Sequence, residues 1–230
     1  MTDEAARMAA VAAALARVEP GVTIGLGSGR AVFALVQALA ARWPADGPRP
    51  RAVVASDRTG ELASAAGFEL VELGEGVAVD HAFDGADEVD ADLGLVKGGG
   101  AALLREKLVM AASRRVTIMA EAGKRVPRLG LLRPLPVEVV RFAWPSTRQR
   151  LQRLLPTTTL RLGPDGRPLV TDEGHHILDG HIPEGADLHA LAAAVKGTLG
   201  VVEHGLFLDQ VDEVLLGHAD GTVEVLRPRV

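Results

Sequence analysis

The chain has 230 residues, 47% hydrophobic and 24% charged, enough for one large or two small globular domains with a substantial core. A formal charge of −5 and an aromatic content of 3% exclude the basic footprint and stacking platforms of a polynucleotide binder. Without cysteine the chain has neither a disulfide framework nor thiolate chemistry, which suits a reducing compartment such as the cytoplasm. No basic n-region leads into an apolar stretch, and the alanine-rich run from Ala5 to Ala16 is interrupted by Arg7 and too short to cross a bilayer. Neither a signal peptide nor a membrane partner is expected.

In chain order, Asp3 is the expected N-cap of a first helix, with Met8, Val11, Ala12, Leu15 and Val18 at helical spacing and an end near Pro20-Gly21. Val22-Thr23-Ile24 reads as a buried strand entering the Gly25-Leu26-Gly27-Ser28-Gly29 turn, and Val32, Leu35, Val36 and Leu39 mark a second helix. The run Trp43-Pro44-Ala45-Asp46-Gly47-Pro48 breaks the pattern. Strands are expected at Ala52 to Ala55, Leu70 to Leu73, Val79 to Phe83 and Arg115 to Ala120, with helices after Asp57 and around Glu106. This alternation predicts an α/β fold: a Rossmann-like, mostly parallel sheet with helices on both faces and ligands at the carboxyl ends of its strands. Beyond Pro127 come strands at Val137 to Val140, Leu169 to Thr171 and His176 to Leu178, and helices at Ser146 to Leu155 and Ala186 to Val195. That order suits a smaller α+β, ferredoxin-like domain. Val201 to Leu206, Val214 to Leu216 and Val223 to Val225 read as closing strands.

Three segments carry chemistry. Glycines 25, 27 and 29 after a strand let the backbone approach a phosphate at the start of the next helix. Arg30 stands where a dinucleotide fingerprint needs glycine or alanine, and neither a P-loop lysine nor a Gly-x-Ser-x-Gly elbow is present. Asp84-Gly85-Ala86-Asp87-Glu88-Val89-Asp90 follows an apolar strand but lacks the ligand order of an EF-hand, so a carboxylate pair in a crevice is preferred to a calcium loop. Lys97-Gly98-Gly99-Gly100 leads into the helix carrying Glu106, with more glycine than a turn requires and several N–H groups beside an ammonium. His175-His176 and His181 match no common metal spacing, and no metal site is expected.

The Asp84 and Lys97 segments resemble the two signature motifs of A-type ribose-5-phosphate isomerases, and the Gly25 to Gly29 turn resembles that family's phosphate loop. The resemblance runs from the first helix to the last strand. It implies an isomerase of the pentose phosphate pathway that interconverts ribose 5-phosphate and ribulose 5-phosphate through an enediolate, with no cofactor. It further implies catalytic roles for Glu106 as base and for Asp84, Asp87 and Lys97. Ser28, Gly29, Arg30, Ala31, Gly85, Ala86, Gly98, Gly99, Gly100 and Lys124 would join Asp84, Asp87 and Lys97 in binding the pentose phosphate. Arg7 falls where the family commonly has a lysine near the phosphate. The implied division is residues 1–130 with 206–230 as the catalytic domain and 131–205 as the small one, in a homodimer. Two departures stand out: Arg30-Ala31 replaces a pair of hydroxyl residues, and Leu104 stands where a hydroxyl residue is often found. Two other readings use the same scaffold: a non-catalytic sugar-phosphate sensor, or another enzyme such as an amino-sugar phosphate deaminase or a CoA transferase.

Overall fold

A computed structural model describes residues 2–43, 47 and 49–228; most of the expected break between Trp43 and Pro48 lies outside them. The first half comprises α1 (Thr2–Leu15), β1 (Thr23–Leu26), α2 (Arg30–Arg42), β2 (Arg51–Val54), α3 (Asp57–Ala65), β3 (His81–Gly85), β4 (Glu88–Val89), β5 (Leu95–Val96), α4 (Leu103–Ala111) and β6 (Val116–Glu121), closed by a 3-10 turn at Ala122–Lys124. The second comprises β7 (Leu135–Val139), α5 (Trp144–Leu151), β8 (Thr159–Leu160), β9 (His176–Gly180), α6 (Leu188–Lys196), β10 (Val201–His204), β11 (Leu206–Phe207), β12 (Glu213–Gly217) and β13 (Val223–Leu226).

The large sheet has the order β13-β12-β6-β3-β1-β2, parallel except for the β12–β13 edge pair. Period-two alternation places its side chains in two cores. Ile118 of β6 and Val214 and Leu216 of β12 pack with Val109 and Met110 of α4, whereas Met119 and Leu215 face α1 and α2. Each fully buried Leu or Phe in these layers contributes roughly 1.5–3 kcal/mol. From β1 the chain moves to one side for β2 and returns on the other for β3, so the order reverses between β1 and β3. In an open α/β sheet such a reversal leaves a crevice beyond the carboxyl ends of the strands.

A second, antiparallel sheet runs β10-β7-β9-β8. With α5 and α6 it forms the βαββαβ arrangement of a ferredoxin-like layer, and its core contains Leu151, Leu155, Leu191 and Val195. A third sheet, β11-β5-β4, lies between these parts of the chain and was not expected from the sequence. Glu88 on β4 is fully buried and accepts hydrogen bonds from the N–H groups of Gly130 (2.6 Å) and Arg133 (2.6 Å), which fixes the segment entering β7.

Several expected elements differ. Leu70 to Leu73 forms only an isolated bridge from Leu70 to Ala52, then leaves the sheet with Leu70 and Leu73 exposed. Leu169 to Thr171 is not a strand; Thr159–Leu160 pairs with β9 instead, and the intervening hairpin has one bridge between Leu162 and Pro168. An apolar run is consistent with a strand but does not itself supply ladder pairing: the first segment meets the edge strand β2 only at Leu70, and the second follows the single Leu162–Pro168 bridge of its hairpin. Val201 to Leu206 is split at Gly205, where a Cβ would collide with the carbonyl of Lys97. α1 stops at Leu15, α5 starts at Trp144 ahead of Ser146, and β3 runs through Asp84 and Gly85, so this carboxylate lies within the strand.

Candidate active site

The carboxyl ends of the adjacent strands β1, β3 and β6 meet the glycine turn before α4 at a crevice of about 280 Å³, at the small end of ligand pockets. Ser28, Gly29, Arg30, Ala31, Gly85, Ala86, Asp87, Lys97, Gly98, Gly99, Gly100, Glu106 and Lys124 line it. Asp84 is not among the lining residues. It is 1% exposed and lies beneath the crevice, which it reaches through Lys97. Arg7 and Glu121 complete the lining, and Glu121 had no motif in the sequence to mark it.

The turn between β1 and α2 forms an anion cradle on the crevice wall. Gly29 holds φ +94°, a conformation that strains any residue with a Cβ, and caps α2 without a side-chain bond. The first-turn N–H groups at Arg30 and Ala31 therefore lack a side-chain cap, and these are the unpaired donors of a helix start. A Cβ on Gly27 would collide with the Asp84 carboxylate. That close approach allows Asp84 Oδ1 to accept hydrogen bonds from the N–H groups of Ser28 (3.2 Å) and Gly85 (2.7 Å). Nearby, Glu121 binds two cations at once, Arg7 at 2.9 Å and Lys124 at 2.8 Å. Burial alone would raise the Glu121 carboxyl, but Lys124 and Arg7 hold it below its usual range, so it stays ionised and keeps both cations at the rim.

Adjoining the cradle through Asp84 is a buried triad of charges. The Lys97 ammonium, 3% exposed, lies 3.0 Å from Asp84 Oδ2 and 3.2 Å from Glu106 Oε2, and donates to the Gly85 carbonyl at 2.6 Å. Both carboxylate oxygens are held by charge rather than by aligned hydrogen bonds. Burial would lower the Lys97 pKa, but the Asp84 and Glu106 carboxylates outweigh it and hold the ammonium above its ordinary value. Burial drives Asp84 up, opposed by Lys97 and by the N–H groups of Gly85 and Ser28. Glu106 is pushed up to about 8, first by burial and then by the Asp84 charge, with Lys97 opposing. A carboxylate with that pKa is a far stronger base than an exposed glutamate and still titrates near neutrality.

The glycine turn is shaped by its neighbours. Gly98 has φ +107°, and a Cβ on Gly99 would sit 2.9 Å from Asp87 Oδ1. The Gly99 N–H donates to Asp87 Oδ2 at 2.8 Å, tying Asp87 to the turn. Residue 104 faces away from these groups, packing against the core that contains Val109. On α4, the residue after Glu106 anchors the helix. Lys107 donates to Glu203 Oε1 (2.8 Å) and to the carbonyls of His204 (2.7 Å) and Leu206 (2.9 Å), and lies over the Phe207 ring. Removing one member of such a buried network costs about 3 kcal/mol or more, so Lys107→Ala should lower the denaturation midpoint markedly; an unchanged midpoint would show the anchor to be idle.

His175 instead meets Glu138 at 3.0 Å, and His176 bonds the Leu169 carbonyl at 2.8 Å. Among the described residues no group of three or more His, Asp or Glu side chains is arranged to hold a metal ion. No helix among them is long and apolar enough to cross a membrane.

A doubly wound sheet whose switch-point crevice joins an anion cradle to a buried carboxylate and ammonium cluster defines an acid–base enzyme for a small phosphorylated substrate. Comparison with known proteins narrows the class. The model of the family described as ribose 5-phosphate isomerase A (phosphoriboisomerase A) matches residues 51–221. Ribose-5-phosphate isomerase A of Cereibacter sphaeroides is 44% identical over 229 residues, covering 96% of this chain and 87% of that protein. The protein of the same name from Roseiflexus castenholzii is 45% identical, covering 99% and 98%. The solved structure of ribose 5-phosphate isomerase A from Methanocaldococcus jannaschii superposes with a TM-score of 0.91 at 31% identity, covering 97% and 99%. A D-ribose-5-phosphate isomerase in complex with phospho-erythronic acid superposes with a TM-score of 0.92 at 31% identity, covering 99% and 100%. The chain belongs to the ribose 5-phosphate isomerase A family.

Proposed function

We propose that this chain interconverts D-ribose 5-phosphate and D-ribulose 5-phosphate through an enediolate, with Glu106 as the base that moves the proton between C2 and C1. The observation that carries this reading is the Glu106 carboxylate at 3.2 Å from a buried ammonium, on the wall of a crevice that is also lined by an anion cradle. A hydrogen next to a carbonyl is too weakly acidic for a carboxylate alone. Charge gathering on the carbonyl oxygen must be neutralised as the C–H bond breaks, and each preorganised donor is typically worth about 3 kcal/mol. Lys97 and the glycine-turn N–H groups that Asp87 does not already hold supply those donors. Asp84 acts through Lys97 as a positioning residue, and Asp87 moves protons between the C1 and C2 hydroxyls. Phosphate held by Ser28 to Ala31, Lys124 and Arg7 fixes the reacting carbons against Glu106.

The test is a coupled assay of ribose 5-phosphate conversion in the presence of EDTA. Wild type should turn over, whereas a protein that binds the sugar phosphate without converting it would be a sensor. Arg30 stands where the family commonly has a hydroxyl, and its guanidinium takes over phosphate binding. Arg30→Ala should therefore raise KM by roughly tenfold with kcat nearly unchanged, and an unaltered KM would make Arg30 a bystander.

We take residues 1–130 with 206–230 as the catalytic domain and 131–205 as the small one, a division supported by the return of β11, β12 and β13 to the sheets of the first half. We place the chain in the cytoplasm as a homodimer. Phe142 and Leu199, 89% and 76% exposed, are apolar surface that a second copy would cover. Sedimentation of a monomer at micromolar concentration would remove the dimer.

A further inference from the structure

Arg161 follows β8 in the antiparallel sheet and does not line the crevice, yet it grips the glycine turn. Its Nη1 donates to the Gly98 carbonyl at 2.6 Å and to the Gly99 carbonyl at 3.2 Å. The same guanidinium forms a bidentate pair with Asp179, with Nε to Oδ2 at 2.8 Å and a second bond from Nη2 to Oδ1, so the fork cannot rotate freely. In a planar trans peptide the C=O and N–H point to opposite edges. The unit joining Gly98 to Gly99 is thus held at both edges, its carbonyl by Arg161 and its N–H by Asp87 at 2.8 Å. The next unit is held at its carbonyl by Arg161, which turns the Gly100 N–H to the opposite side.

We propose that Arg161 is a positioning residue of the isomerase: from the small sheet it aims the glycine-turn amides, and the Gly100 N–H in particular, at the substrate oxygen that becomes anionic in the enediolate. The guanidinium lies at the negative ends of two peptide dipoles, and hydrogen bonding to their carbonyls polarises the N–H groups on the far edges. Asp179 holds Arg161 in register, so the acid–base chemistry of the large sheet depends on an ion pair in the other sheet. The proposal rests on the isomerase reading given above.

The experiment compares full-length wild type, Arg161→Ala and Arg161→Lys for kcat and KM with ribose 5-phosphate, melting temperature, and affinity for phospho-erythronic acid, whose carboxylate stands in for the enediolate oxygens. Loss of an aimed donor predicts a folded Arg161→Ala enzyme with kcat lowered about tenfold or more, KM within threefold of wild type, and weaker binding of phospho-erythronic acid in proportion to kcat. Added guanidinium ion should restore part of the rate. A folded Arg161→Ala enzyme with kcat within threefold of wild type overturns the proposal, as does a rise in KM alone. Should that variant not fold, Arg161→Lys, which keeps the charge but cannot fork across Asp179 and the carbonyls, is judged by the same criterion. Failure of wild type to convert ribose 5-phosphate would sink the isomerase reading itself, whereas a working wild type with an indifferent Arg161→Ala sinks only the role of Arg161.

Discussion

Glu106→Gln should leave a folded protein that still binds a phosphorylated inhibitor but turns over on the order of 10³-fold more slowly or worse, the scale of losing a positioned base. Glutamine keeps the shape of the side chain and removes only the proton acceptor. Binding should survive because the anion cradle at Ser28 to Ala31 and the Arg7 and Lys124 pair line the crevice and are held by Asp84 and Glu121, not by Glu106. Equal rates for the two proteins would remove the base assignment. The pH profile makes a second demand on the same residue. The base acts when deprotonated and its pKa is pushed up to about 8, so kcat/KM should be full above that pH and fall roughly tenfold per unit below it. Asp84→Asn removes a charge that raises Glu106, and should move this limb toward acid; a limb that stays in place would show that another group titrates.

Lys97→Met should be nearly as damaging, with kcat lower by about 10²–10³, because Lys97 is the charge closest to both buried carboxylates and the proposed donor to the developing oxyanion. Its diagnostic is again the pH profile, with the opposite sign. Lys97 lowers the pKa of Asp84 and Glu106, so removing it leaves two buried carboxylates without their cation and both should rise further. The acid limb should shift to higher pH than in wild type, and the small residual activity should be confined to alkaline solution. An unshifted limb together with a modest fall in kcat would assign Lys97 to packing alone. The variant also tests the burial argument, since an uncompensated carboxylate pair at 1% and 5% exposure should protonate rather than unfold the chain.

Much of this was legible before any coordinates. The glycine positions 25 to 29, the Asp84 to Asp87 segment and the Lys97 to Glu106 segment are local patterns, and their residue types already name an anion cradle, an acid pair and a base on a helix. Strand and helix alternation determined the class of fold, because hydrophobic periodicity is the part of a structure written into neighbouring residues. Only tertiary structure decided which groups face the crevice. Asp84 lies inside β3, beneath the crevice, because the absence of a side chain at Gly27 lets the adjacent strand approach its carboxylate. Glu121 and Arg161 carry no motif, since each matters only through partners distant in the chain: Arg7, 114 residues from Glu121, and the Gly98 carbonyl, 63 residues from Arg161. The pKa of Glu106 belongs to the same category. Burial and the Asp84 and Lys97 charges set it, and these are properties of the space around a side chain, which a string of residues does not contain.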